Sequence, residues 1–289
     1  MRRIVLAGLL VGAVLSCLPG GCSDALDAKN RGLFITPIRE YITVTPGKSS
    51  TGTVTVANLT KEPMDVTLST EQFSVADYTY DYLFQLPHED WIKITTPTVR
   101  LAAGESRQVS YQTVIPKNAE PGGHYFTVLA STSPHPNEAV RAAAMLYVTV
   151  SGKLIKTSTL LSDTVPFISL GGDIPFRFDV RNTGNAHFFA YVSGKLEGLS
   201  AQRERNDAAH IVIPQTTRVL EGVFTAPLIP GVYKAKYGYK TDEGVSIIRE
   251  KYIVYAPLWG WAIVAGMLGL LITWANRRHR SRKTGRAVY

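Results

Sequence analysis

Thr51-Gly52-Thr53-Val54-Thr55-Val56-Ala57 sets threonine and valine on alternate positions. Successive side chains of an extended chain point to opposite faces, so this stretch has one aliphatic and one hydroxyl face, as a half-buried strand does. The pattern continues outward. In the first half, strands are predicted over 33–37, 52–58, 64–71, 91–94, 98–101, 106–115, 123–131 and 140–151. Between them lie Pro46-Gly47, Lys61-Glu62-Pro63, Ala103-Gly104-Glu105 and Glu120-Pro121-Gly122-Gly123, all turn chemistry. In the second half, strands are predicted over 153–165, 174–181, 186–197, 210–213, 218–224, 231–239 and 245–255. No stretch between Leu33 and Tyr255 has the period of an amphipathic helix. Many short strands with frequent turns predict an all-β chain of two tandem immunoglobulin-like β-sandwiches, 33–151 and 152–255. No Gly/Ser-rich or Pro-rich linker separates them, so the strand from Val140 is expected to run almost straight into the second sandwich as a stiff joint. No internal repeat is legible, although each half places an asparagine-centred turn after a strand, at Asn58 and at Asn182.

The ends of the chain predict a location. Arg2 and Arg3 precede an apolar run from Ile4 to Leu15 and then small residues, the layout of a secretory signal over 1–25. Cys17 and Cys22 follow poor lipobox tripeptides, so cleavage, retention and lipidation all stay open. Near the other end, 256–275 carries no charge and matches the ~20 residues that cross hydrocarbon. Trp259 and Trp261 lie at one edge of this segment and Trp274 at the other, as in aromatic belts. The tail, 276–289, holds Arg277, Arg278, Arg280, Arg282, Lys283 and Arg286 with no acidic residue, which predicts a cytoplasmic C-terminus and an extracytoplasmic ectodomain.

The net charge of +8 divides accordingly. Setting aside Arg2, Arg3 and the six tail cations, with Asp24 and Asp27, leaves 23 basic and 21 acidic groups. The basic balance thus belongs to the ends and gives no ground for nucleic-acid binding. Both cysteines lie in the signal segment, so the ectodomain is expected to fold on its core alone, without disulfides or thiol chemistry.

Catalytic patterns are missing. No metal-binding histidine spacing, G-x-S-x-G, S-x-x-K or phosphate loop occurs, and Gly171-Gly172-Asp173 precedes a strand, so it reads as a turn. Neighbours in His88-Glu89-Asp90 diverge on an extended loop, which favours a solvated surface over a metal site. His187 is expected to hydrogen-bond across its own turn. No cofactor and no enzymatic activity are expected.

Ser74–Asp90 carries more rings than a scaffold loop needs. Tyr78, Tyr80 and Tyr82 alternate with Thr79 and Asp81, and Phe84 follows. Large rings with polar tips suit binding surfaces, so these four residues are the candidate site. The plainer alternative is an edge strand whose rings pack on the sandwich. In the apolar segment, Ala262/Gly266 and Ala265/Gly269 have the spacing that lets two membrane helices approach closely, and lipid-facing small residues read equally well.

A family resemblance adds to this. In order, Thr45-Pro46-Gly47, Thr53-Val54-Thr55-Val56-Ala57-Asn58, Glu62-Pro63, Trp91-Ile92, Leu101-Ala102-Ala103-Gly104-Glu105-Ser106, Ile115-Pro116-Lys117-Asn118-Ala119 and Pro121-Gly122-Gly123-His124-Tyr125 resemble the immunoglobulin-like domain of bacterial WxL-interacting surface proteins. The second half is similar to the companion domain of related exported bacterial proteins, through Asn182-Thr183-Gly184-Asn185-Ala186-His187, Ile213-Pro214-Gln215-Thr216-Thr217-Arg218 and Gly231-Val232-Tyr233. The resemblance implies binding to peptidoglycan or to another surface protein; its shared motifs are structural and transfer no ligand residue. Together these readings predict a non-enzymatic, single-span envelope protein that binds cell-wall polymer or a surface-protein partner. The alternatives are an assembly subunit acting through protein contacts alone, or a cell-wall hydrolase.

Overall fold

The structure is a computed structural model that describes residues 32–132, 140–199 and 205–284. The predicted signal segment with Cys17 and Cys22, and the end of the tail, lie outside the described residues.

The first sandwich comprises β1 (Leu33–Thr36), β2 (Arg39–Val44), β3 (Ser49–Asn58), β4 (Met64–Val75), β5 (Tyr82–Gln85), β6 (Ile92–Ile94), β7 (Thr98–Leu101), β8 (Ser106–Val114), β9 (Gly122–Thr132) and β10 (Arg141–Val150). One sheet runs β1-β3-β8-β6 and the other β2-β10-β9-β4-β5, with β7 also on β4. The chain crosses between sheets at Pro37, which has no N–H to continue a ladder, and β2 then pairs in parallel with β10. Val54 and Val56 are buried while Thr53 and Thr55 lie toward solvent, as the alternation requires. They pack with Leu101, Phe126, Val128, Leu146 and Val148 between the sheets.

The second sandwich comprises β11 (Ser158–Thr164), β12 (Ile168–Ser169), β13 (Ile174–Asn182), β14 (Phe188–Glu197), β15 (Arg205–Val212), β16 (Thr217–Phe224), β17 (Gly231–Thr241) and β18 (Ser246–Tyr255). Its sheets run β11-β13-β16 and β12-β18-β17-β14-β15. Its core is aromatic: Phe176 meets Phe224 at 4.6 Å between ring centroids, and Phe178 stacks on Tyr237 at 5.3 Å. The Tyr237 hydroxyl donates to Asp163 at 2.5 Å, so the buried ring keeps a polar partner.

The two sandwiches share one strand order. Strands β1 to β4 and β7 to β10 correspond in sequence and pairing to β11 through β18. In each, the first long strand (β3, β13) lies between an edge strand and the strand preceding the last hairpin, and a short second strand runs parallel to the last. What the first sandwich has in addition is residues 76–97, carrying β5 and β6. The repeat, not legible as residue identity, is legible as topology.

α1 (Leu258–Thr284) follows β18 after only Ala256-Pro257. By length and composition, Leu258–Asn276 is able to cross a membrane, and none of its apolar stretch is covered by the sandwiches.

Strand β10 shows how the halves meet. Ala143, Ala144, Met145, Leu146, Tyr147 and Val148 form an unbroken apolar run, because both faces of this sheet are covered. Inward, Leu146 and Val148 enter the core of the first sandwich. Outward, Met145 and Tyr147 join Phe73 and Val75 of β4 against Ile211 and Ile213 of the second sandwich. The strand ends at Val150, and residues 151–157 connect to β11. The halves are thus joined by this packing and not by the continuous strand that the sequence suggested.

Candidate functional site

The inserted segment leaves β4 and folds back as a hairpin, with β5 pairing Val75↔Tyr82 through Gln72↔Gln85. Its tip is tight. The Ala76 amide donates to the Asp81 carbonyl at 2.9 Å and the Tyr80 amide to Ala76 at 3.1 Å. Tyr78 and Tyr80 take positive φ values of 66° and 61°, a left-handed conformation costing each ring-bearing residue on the order of 1 kcal/mol. Contacts with the second sandwich hold this strained turn. The Tyr78 amide donates to the Thr217 carbonyl at 2.8 Å, and the Thr217 amide donates to Asp77 Oδ1 at 2.7 Å. The Arg218 guanidinium lies over the Tyr80 ring, 3.7 Å from its centroid.

The four candidate rings therefore separate into two pairs. Tyr80 and Tyr82 lie between the sandwiches. Tyr82 meets Phe73 edge-on at 5.6 Å, and its hydroxyl lies 3.5 Å from that of Tyr147. Burial raises the Tyr80 hydroxyl above its ordinary pKa despite the nearby Arg218 charge, and that hydroxyl has no hydrogen-bond partner among the described residues. Tyr78 and Phe84 point outward, 49% and 46% exposed. Leu83 and Leu86, absent from the sequence-derived set, join them at 53% and 81%. The strand alternation was visible in the sequence; which rings the second sandwich would cover was not, since the covering atoms belong to residues 211–218.

The far end of the hairpin is fastened to the first sandwich. Gln72 accepts from the His88 amide at 3.0 Å and donates to Glu89 at 3.2 Å. Glu89 also lies 3.3 Å from His124, whose ring packs on Trp91 at 4.4 Å, while Asp90 pairs with Lys93. The Glu89 and Asp90 side chains thus have separate partners, and His88 is held through its backbone amide. No group of three or more His, Cys, Asp or Glu able to hold a metal occurs among the described residues.

Beside the hairpin, the turn after β13 forms the joint. Asn182 Nδ2 donates to the Ala186 and Val212 carbonyls, both at 2.9 Å, and its Oδ1 accepts from the Gly184 amide at 2.9 Å. Asn185 bridges three segments. Its Nδ2 donates to Pro121 and Lys153, its Oδ1 accepts from the Ile155 amide at 2.7 Å, and its carbonyl accepts from the Gly123 amide at 2.8 Å. His187 does not bond across its own turn, as the sequence suggested. Its Nδ1 lies 3.3 Å from the Tyr125 hydroxyl, in a cage of Tyr41, Tyr125, Tyr147 and Phe189. Burial lowers its pKa to about 4, with Lys156 acting in the same direction and Asp242 opposing.

Three solved structures illustrate what this chain is similar to. A class 5 fimbriae chaperone, CfaA, matches 76% of this chain and 98% of its own at 14% identity, with a TM-score of 0.42. The Escherichia coli chaperone DraB matches 76% and 96% at 17% identity, with a TM-score of 0.37. A CsuC-CsuE chaperone–tip adhesion subunit pre-assembly complex from Acinetobacter baumannii matches 65% and 89% at 14% identity, with a TM-score of 0.37. At such scores the likeness transfers neither ligand nor partner. No family model matches the chain, and no curated protein does. The immunoglobulin-like sandwiches implied by the resemblance to WxL-interacting proteins are present, and membership of that family is not established.

In α1, nothing lies within 4 Å of a Cβ built on Gly266 or Gly269, so the stripe with Ala262 and Ala265 is open in the single chain.

Proposed function

We propose that this chain is a non-enzymatic, membrane-anchored envelope protein whose ectodomain docks an extended segment of a protein partner along β5, in an assembly role. The observation that carries this reading is an unpaired strand edge with exposed apolar side chains. β5 ends its sheet, and Leu83, Phe84 and Leu86 stand exposed beside it. An edge strand presents a row of free N–H and C=O groups, and another polypeptide strand supplies the complementary row. A cell-wall glycan would need polar groups around exposed rings. Here Tyr80 and Tyr82 are covered, and the side chains exposed along β5 and just after it, Leu83, Phe84 and Leu86, carry no polar group. Tyr78 and Phe84 are the members of the sequence-derived set that such a partner would touch. In this reading the ectodomain lies outside the cytoplasmic membrane, with α1 as the span and the basic tail inside.

Photo-crosslinking in intact cells tests the reading. A photoreactive residue at Phe84 or Leu86 is expected to trap one dominant protein, and the same probe at Leu59, on the far turn, is expected to trap none. Leu83→Asp should remove the adduct formed from position 86. Adducts that survive Leu83→Asp, or their absence from both β5 positions, would contradict the docking role.

A further inference from the structure

Among the described residues, the end of the second sandwich from which α1 departs carries a contiguous set of exposed apolar side chains. Three stretches meet there, 164–172, 222–233 and 252–257, with Leu199 just after β14 reaching Gly231 and Asp173 at the margin accepting from the Ala226 amide at 2.9 Å. None of the three stretches contains a charged residue. Strand register brings them together, because Ile168 pairs with Val254, Ser169 with Tyr255, and Gly231 with Tyr255. Their side chains are turned out. Phe167, Ile168, Leu170, Leu228, Ile229 and Val232 are all exposed, with Leu228 at 83%. By contrast, the turns of the first sandwich carry Lys61 and Glu62, Glu105, or Lys117 and Glu120. Single exposed apolar residues are ordinary, but a contiguous set on uncharged loops marks a contact surface.

Backbone hydrogen bonds tie this end to the helix. The Ala256 amide donates to the Ser169 carbonyl at 2.8 Å and the Leu258 amide to Leu170 at 3.1 Å. Pro230 lies 3.3 Å from where a Cβ on Gly260 would sit, so the 228–230 loop abuts the first helical turn. No linker separates sandwich from helix. The 19 residues from Leu258 to Asn276 rise by about 28 Å, nearly the ~30 Å of a hydrocarbon core, so the core must begin close to Leu258. That is the level of Leu170 and Pro230, and Trp259 and Trp261 lie within the same turn.

We infer that the base of the second sandwich is seated in the lipid headgroup region. Phe167, Leu170, Leu228 and Ile229 enter the membrane interface beside α1 and hold the ectodomain at a fixed tilt. This rests on reading α1 as a membrane span. The occupant of the apolar end is lipid, because the surface is continuous with a helix long and apolar enough to cross a membrane and lies at the depth where the hydrocarbon starts. Burying such side chains at an interface strengthens binding in proportion to the apolar area removed from water.

The test uses the full chain in bilayer nanodiscs of phosphatidylethanolamine and phosphatidylglycerol, with Cys17→Ser and Cys22→Ser. An environment-sensitive fluorophore is attached in turn at Leu228→Cys, Phe167→Cys, Leu268→Cys and Leu59→Cys. With lipid spin-labelled high on the acyl chain, emission at 228 and 167 should fall by roughly half, as expected for side chains at the acyl–headgroup boundary, while emission at 59 stays unchanged. Spin label deep in the chain should quench 268. Quenching at 268 without quenching at 228 and 167 would overturn the seat and leave the span intact. A blue-shifted but unquenched label at 228 would overturn it too, by showing that protein covers this end. Absence of quenching at 268 would remove the span, and the seat with it.

Discussion

The turns after β3 and after β13 are made by the same hydrogen bonds and face different surroundings. Asn58 donates to the carbonyls four residues on (Glu62, 2.7 Å) and across the sandwich (Ala102, 2.9 Å), and accepts from the amide two residues on (Thr60, 2.9 Å). Asn182 repeats the two local bonds at the same offsets, with Ala186 and Gly184, and also donates across its sandwich, to Val212. Even the neighbouring left-handed residue recurs, as Gly104 (φ 73°) and Gln215 (φ 60°). In the second turn, the Gln215 amide side chain also donates to Gly184 O at 3.1 Å. The first turn ends in solvent with Lys61, Glu62 and Pro63. The second has Asn185, Ala186 and His187 at those positions and locks the two sandwiches together. A backbone solution was thus used twice, and only the outward side chains distinguish a free turn from a joint.

The largest expected effect tests the joint by volume. A Cβ on Gly184 would sit 2.0 Å from the Ile155 carbonyl oxygen, a backbone atom with nowhere to go. Gly184→Ala should cost about 3 kcal/mol or more in chemical denaturation, at or above the upper end of forced overpacking, because the clash is with backbone. Its counterpart Thr60→Ala, on an exposed turn, should cost under about 1 kcal/mol. Equal losses would break the contrast.

The asparagines sharpen it. Asn182→Ala strands two buried carbonyls and a buried amide and should cost roughly 3 kcal/mol, while Asn58→Ala leaves groups that water reaches and should cost roughly half of that. The same denaturation series measures both. A larger loss at Asn58 would contradict the assignment of the joint.

His187 gives the joint a pH dependence that Pro63 cannot give the free turn. Its folded pKa of about 4 lies below the ordinary 6.5, so between these values the unfolded chain binds the extra proton. This contribution is fully present above pH 6.5 and is lost as pH falls toward 4, by up to roughly 3 kcal/mol. His187→Gln should flatten the pH profile of the melting temperature in that window; an unchanged slope would show that His187 is not the titrating group.

The smallest effect concerns the hairpin that the second sandwich lacks. The buried Tyr80 hydroxyl has no partner among the described residues, so Tyr80→Phe should be neutral or stabilising by up to about 1 kcal/mol, with the ring still under Arg218. A clear destabilisation in the same thermal assay would reveal a hydrogen bond that the hydroxyl makes.

Much of the fold was legible because half-buried strands advertise themselves by alternation, as at Thr53–Ala57. Strands that depend on distant partners were not. Arg39–Val44 follows a proline and lies parallel to β10, more than a hundred residues away in the chain, and Tyr82–Gln85 exists only because β4 overruns its sandwich. The candidate site was legible as composition: the excess of rings at 78–84 marked the insertion. Their division into Tyr80 and Tyr82 inside and Tyr78 and Phe84 outside depends on Thr217 and Arg218, whose proximity no local pattern encodes. His187 was misplaced for the same reason, because its partner Tyr125 lies on the other sandwich.

The Asn182–His187 turn and the 76–97 insertion should fuse the two repeats into one mechanical unit. Scanning calorimetry of the full chain in nanodiscs tests it most directly. A fused pair should unfold in one transition whose van't Hoff and calorimetric enthalpies agree. Two resolved transitions, or a van't Hoff enthalpy near half the calorimetric value, would show sandwiches that unfold independently and would contradict it.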